Sequence, residues 1–242
     1  FETLSHLALQ QYWWVIISLL GALLIFLMFV QGGQTLIGQV ANTDTQKDMA
    51  VNSIGRKWDL TFTTLVTFGG AFFASFPIFY ATSFGGAYWL WMLILFTFII
   101  QAVSYEFRKK PSNFLGQKTY ETFLFINGLF GSLLIGVAVG IFFTGAEFSI
   151  DHLRLTSPAD NIISRWETPF HGLGEVTNIQ NILLGLSVFF LARIQGALYF
   201  INTIDDETVI KNSRKQLQWN SIPFLAVFII FMVVLLTKDG FA

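Results

Sequence analysis

The chain has 242 residues, 54% of them hydrophobic and only 12% charged, with a mean hydropathy of +0.61. A soluble domain carries about a quarter charged residues, so the composition points to an integral membrane protein and away from a large-cored soluble one. The formal net charge of −1 gives no reason to expect a nucleic-acid partner, and the lack of cysteine excludes disulfides and cysteine-ligated iron–sulfur clusters within this sequence.

The first residue is Phe1, not methionine, and no basic stretch leads to a cleavage site, so no signal peptide is read and the chain is expected to be a portion of a longer protein. Six continuous apolar segments follow, roughly 12–30, 60–83, 86–105, 123–144, 180–204 and 217–237. Each approaches the ~20 residues that a helix needs to cross the hydrocarbon, and none alternates as a strand would. The expected fold is an all-α polytopic bundle of six transmembrane helices.

Lys and Arg counts give the orientation. Lys47, Arg56 and Lys57 follow the first helix, Arg108, Lys109, Lys110 and Lys118 the third, and Lys211, Arg214 and Lys215 the fifth. The other side holds Arg154, Arg165 and Lys238. Phe1 is therefore expected outside, as is the 145–178 loop, whose acids, prolines and glycines suit an irregular or short-helical excursion.

In chain order, "VQGGQ" (Val30 to Gln34) closes the first segment. Its amides and glycines either break the helix to line a cavity or simply end it. "RKWDLTFTTLVTFGG" opens the second, with Asp59, Thr63 and Thr67 spaced by four on one helical face. Glu106 lies at the matching end of the third helix, and Gln101 about a turn and a half deeper. These residues suit a polar proton intake. They equally suit interfacial acids answering Arg56, Lys57 and Arg108, with hydroxyls bonded to their own helix. The fourth segment carries Gly128, Ser132, Gly136 and Gly140 at intervals of four, a seam for a close helix partner, by default an internal one. Arg193 lies inside the fifth segment, some ~15 Å from its end, which calls for a buried anionic partner or a shorter helix. The histidines, His6, His152 and His171, all fall in outside segments, so Met28, Met92 and Met232 have no intramembrane histidine to join in holding a haem. The histidines could make a surface metal site, but their spacing gives no motif, and no phosphate loop, HExxH or nucleophile elbow is read.

A faint repeat links "QGG" at Gln31 with "QGA" at Gln195, followed by Trp58 and Trp219 after 27 and 24 residues. It suggests a first four-helix unit over 1–145, an extracytoplasmic loop over 146–178, and the first two helices of a second unit over 179–242, with about two more helices lying beyond.

Taken together, the chain resembles subunit II of the cytochrome bd-type quinol oxidases, nearly end to end. The resemblance is carried by Asn42 to Thr45 (with Thr43 interposed), Asn52-Ser53-Ile54, Trp58-Asp59, Gly69-Gly70 through Pro77, Glu106–Arg108, Gln195–Tyr199 and Asp239–Phe241. It implies a haem-free subunit of the bacterial cytoplasmic membrane. Its partner would be subunit I, holding haems b and d, in a complex that oxidises membrane quinol and reduces oxygen to water. No cofactor or metal is expected on this chain, whose other neighbour is lipid. Acids at the ends of the second and third helices have been proposed in the family to feed protons inward. Asp59 matches the first position, and Glu106 occupies the second, where Asp is common. Gln31 and Gln34 stand where many members carry aspartates, and Gln101 where an Arg is common, so a path through those positions is altered or absent here. A secondary transporter built from repeated membrane units is the alternative.

Overall fold

A computed structural model describes residues 5–151 and 163–238, so His152, Arg154, Asp160 and Asp239–Phe241 lie outside the described residues. Helix α1, His6–Val40, is one continuous run of 35 residues. Ser5 caps it, accepting a hydrogen bond from the Ala8 amide at 3.2 Å. It bends at Met28, where ψ is 0°, and Thr61 Oγ1 donates to the Leu27 carbonyl there at 3.0 Å. The bend separates two environments. Before it, only Ile17 and Leu24 are buried; after it, Phe29 through Ile37 are all buried. Thus "VQGGQ" neither breaks nor ends the helix but lies within its most enclosed part.

Helix α2, Asp44–Gly55, begins with a capping box between Thr43 and Gln46. Helix α3 is Trp58–Ser75, and Pro77 at the first position of a helical turn starts the reversal into α4, Tyr88–Phe107. Helix α5, Gln117–Thr144, widens into a π turn at Asn127–Gly131. The 145–178 loop contains a small antiparallel strand pair, Phe148–Ile150 with Ser164–Trp166, where an irregular or short-helical excursion was expected. Trp166 Nε1 donates to the Thr82 carbonyl at 3.0 Å, docking this loop on the α3–α4 reversal. Helices α6, Ile179–Thr203, and α7, Glu207–Thr237, complete the described chain.

Five of these helices, α1, α4, α5, α6 and α7, are long and apolar enough to cross a membrane. The sixth expected span is shorter than its segment. Residues 60–83 divide into α3, with 18 residues including Asp59 and four threonines, and the reversal that begins at Pro77.

Helix α6 is the hub, packing on α7, α5 and the buried half of α1. Missing side chains permit these contacts. A Cβ at Gly136 would lie 2.7 Å from the Gly185 Cα, one at Gly140 2.8 Å from Asn181 Oδ1, and one at Gly128 2.5 Å from the Gln31 carbonyl. A Cβ at Gly32 would strike the Ala192 carbonyl, and one at Gly196 the Gly33 amide. The stripe on α5 therefore meets internal partners, α6 and α1.

Gly32→Val is expected to lower the stability of the solubilised chain by about 2–3 kcal/mol or prevent its accumulation, because backbone cannot move aside as a flexible side chain can. Gly70→Ala, at a position with open space around it, is expected to leave the thermal midpoint within a degree or two, or raise it slightly. Thermal unfolding in detergent checks both.

Candidate functional site

Two polar lines run through the membrane-spanning part, on different sides of the helices that carry them. The outer line is Asp59, Thr63 and Thr67 on α3, all exposed. Thr63 Oγ1 donates to the Asp59 carbonyl and Thr67 Oγ1 to the Thr63 carbonyl, each at 2.8 Å, so both hydroxyl protons are held by their own helix. Among the described residues, the Asp59 carboxylate accepts only the Leu60 amide, at 3.0 Å. Trp58 stacks on Tyr105 with ring centroids 6.1 Å apart, so the next residues, Asp59 and Glu106, lie at one end of the α3–α4 pair. Glu106 is exposed and paired with Lys110.

The inner line lies between α1, α4 and α5. Thr97, Gln101, Ser104 and Arg108, spaced by four, three and four, form the buried face of α4. Gln31 Nε2 donates to Asn127 Oδ1 at 3.4 Å, and Asn127 Nδ2 donates to Thr97 Oγ1 at 3.3 Å. Gln34 Nε2 donates to the Tyr105 hydroxyl at 3.0 Å. Gln101 is fully buried with neither amide atom bonded among the described residues, and Gln31 Oε1 and Gln34 Oε1 are equally unpartnered there. An unmet buried amide atom costs about 1–3 kcal/mol, so these atoms are receptive to water. Gln101 thus belongs with Gln31 and Gln34, and not with Asp59, Thr63, Thr67 and Glu106. Helical spacing groups residues on a face, but not which face turns inward.

At the end where the three basic loops meet, Arg108 is buried and donates to Asp48 and Glu121, each at 2.7 Å, while Lys109 also pairs with Asp48. Burial alone would raise the Asp48 carboxyl, but the hydrogen bonds from Lys109 and Arg108 outweigh it and hold it below the usual carboxylate range. Gln46 Nε2 reaches Asp206 at 3.1 Å, tying α2 to the cap of α7. Position in sequence gave no sign of this network, since Asp48 and Glu121 lie 73 residues apart.

Arg193 is buried and has no anionic partner among the described residues. Its Nε donates to Asn220 Oδ1 at 2.6 Å, its Nη1 to Thr35 Oγ1 at 2.8 Å and its Nη2 to Gln39 Oε1 at 2.6 Å. The expected carboxylate is replaced by neutral oxygens from α1 and α7. The guanidinium also lies over the Phe189 ring at 5.5 Å. Among the residues singled out in the sequence, Gly69 leaves room for a side chain, since a Cβ there would lie 3.5 Å from the Phe84 ring, and Gln195 Oε1 is buried without a partner among the described residues.

The model of the family described as cytochrome bd terminal oxidase subunit II matches residues 9–238. The chain belongs to that family. It is 27% identical over 230 residues to a probable cytochrome oxidase subunit 2 of Haemophilus influenzae, covering 95% of this chain and 58% of that protein. It is 28% identical over 201 residues to the cytochrome bd-I ubiquinol oxidase subunit 2 of Escherichia coli, covering 81% and 52%. It is 24% identical over 204 residues to the cytochrome bd ubiquinol oxidase subunit 2 of Bacillus subtilis, covering 82% and 55%. The chain therefore spans a little over half the length of these curated relatives. Among the described residues, no group of three or more His, Cys, Asp or Glu could hold a metal ion.

Asp48 gives a pH signature. A carboxyl depressed on folding contributes its stability fully above its unfolded value, near 3.8, and loses it as pH falls through the lower folded value. The thermal midpoint of the solubilised chain is expected to fall below about pH 4. Asp48→Asn is expected to start lower at neutral pH and to lose less on acidification.

Proposed function

We propose that this chain is the haem-free subunit of a bd-type terminal oxidase in the bacterial cytoplasmic membrane, with its N-terminus on the extracytoplasmic side. In the complex, quinol is oxidised and oxygen is reduced to water at haems b and d, all held by subunit I. This subunit packs against subunit I and supplies a proton intake from the cytoplasm. Family membership supports the assembly, and the end-to-end similarity to quinol oxidase subunits supports the substrate. The facing of the two Gln-Gly motifs, Gln31-Gly32-Gly33 on α1 and Gln195-Gly196 on α6, supports the repeated-unit organisation.

One observation carries the proton reading. Of the five acids on α2–α5, Asp48 and Glu121 are bound by Arg108, Glu106 is paired with Lys110 and Asp44 lies 3.6 Å from Lys47, while Asp59 has no cation within ion-pair distance among the described residues. Asp59 is thus free to load from water and release again. Its outward face directs it toward a neighbouring subunit, and the oxygens of Thr63 and Thr67 above it retain lone pairs for bridging water. Gln31, Gln34 and Gln101 cannot exchange a proton at neutral pH, so the inner line contributes hydration and not charge.

Asp59→Asn in the complete oxidase is expected to lower quinol-driven oxygen consumption by about tenfold or more at alkaline pH, with Glu106→Gln changing it less. Unchanged turnover of Asp59→Asn from acidic to alkaline pH would remove the carboxylate from the route. Failure of the chain to co-purify with a haem-bearing subunit would remove the oxidase assignment itself.

A further inference from the structure

Between the buried half of α1, α2 and the first turns of α5 lies an open groove of about 550 Å³. Its polar walls include Gln34, Gln39, Lys47, Lys118 and Glu121. Lys118 has no carboxylate within ion-pair distance among the described residues. Lys47 stands 3.6 Å from Asp44 and 3.8 Å from Glu121, both beyond hydrogen-bond length. Glu121 is already bound by Arg108 at 2.7 Å. Gln39 gives its Oε1 to Arg193, which leaves its amide nitrogen as a donor. Behind Thr35, another wall residue, sits the Arg193 guanidinium, a buried positive charge whose partners are all neutral. Gly116, which precedes helix α5, gives it no side-chain cap.

One acceptor is set among these donors. Gln34 is 2% exposed, lines the groove, and its Oε1 has no partner. The groove thus pairs a positive rim with a buried oxygen that needs a hydroxyl or water hydrogen. It is continuous with exposed apolar surface, where Phe125 is 42% exposed and Gly38 has open space beside it.

From this juxtaposition of Lys47, Lys118 and Gln39 with the unpartnered Gln34 oxygen, we infer that the groove binds the headgroup of an anionic phospholipid carrying a free hydroxyl, of the phosphatidylglycerol type. The phosphodiester lies against the two lysines and the Gln39 amide, a headgroup hydroxyl donates to Gln34 Oε1, and an acyl chain runs past Phe125. A choline headgroup fails on two counts: its quaternary ammonium has no hydrogen to donate, and it brings no net negative charge to the lysines. The inference needs only a chain that spans the membrane and does not depend on oxygen chemistry.

The complete oxidase, reconstituted in vesicles of phosphatidylcholine containing a minor fraction of phosphatidylglycerol, tests it. After gentle solubilisation, the lipids retained per complex are counted by native mass spectrometry. Wild type is expected to retain phosphatidylglycerol in preference to phosphatidylcholine. Lys47→Ala/Lys118→Ala is expected to cut that retention by about tenfold or more, whereas Lys211→Ala/Lys215→Ala, on the exposed face of α7, leaves it unchanged. The single variant Lys118→Ala, at an exposed residue, is expected to give an intermediate loss and guards against misfolding of the pair. Equal retention of the two lipids by wild type, loss in the α7 pair as large as in the groove pair, or full displacement of the lipid by millimolar inorganic phosphate would overturn the proposal.

Discussion

The close approach of α1 to α6 governs the rest of the molecule. Gly32 and Gly33 meet Ala192 and Gly196 at backbone distance, a contact that no side chain larger than hydrogen allows at Gly32 or Gly196. In lipid there is little hydrophobic drive between helices, so association depends on such fit and on interhelical hydrogen bonds. With α6 and α5 pressed on it, the second half of α1 is enclosed on nearly every side, while its first half stays largely open to lipid. One helix thus begins as a membrane-facing span and ends as the axis of a polar interior.

Enclosure explains how this chain tolerates Gln31, Gln34, Thr35 and Arg193 within its apolar length. Each would be costly against hydrocarbon. Here the amides meet Asn127, Tyr105 and Thr97, and the guanidinium joins α1, α6 and α7 through neutral oxygens. The π turn at Asn127–Gly131 lies in the α5 segment that faces this cluster. Charges that pair fully are kept to the helix ends, where Arg108, Asp48 and Glu121 join α2, α4 and α5. Interior and rim therefore follow different rules: neutral amides with room for water inside, closed ion pairs outside. Asp59 belongs to neither set, which is what makes it the carboxylate of interest.

Much of the architecture was legible in the sequence because continuous apolar length is a direct consequence of the bilayer's thickness. The all-helical membrane fold, the gathering of the basic loops and the internal partner of the glycine stripe all followed from local pattern. The second segment misled because 60–83 is apolar throughout, although Pro77 ends the straight helix and the remainder turns. The facing of α3 was not legible either. Spacing by four put Asp59, Thr63 and Thr67 together, but whether that face meets protein or lipid depends on which helices lie beside it. The glutamines were singled out one by one, at Gln31, Gln34 and Gln101, yet their meeting point depends on contacts between helices far apart in the chain. Arg193 showed the limit of charge arithmetic, since a buried cation can be held by a threonine and two amides as well as by an acid.

The most direct test of the enclosure is the separation of α1 and α6 in a cryo-electron microscopy map of the protein. The account predicts helix axes closer at Gly33–Gly196 than the usual ~8–10 Å, with Gln31 and Gln34 turned toward α4 and α5. Axes at ordinary spacing, with those glutamines facing lipid or lying outside the helix, would contradict it.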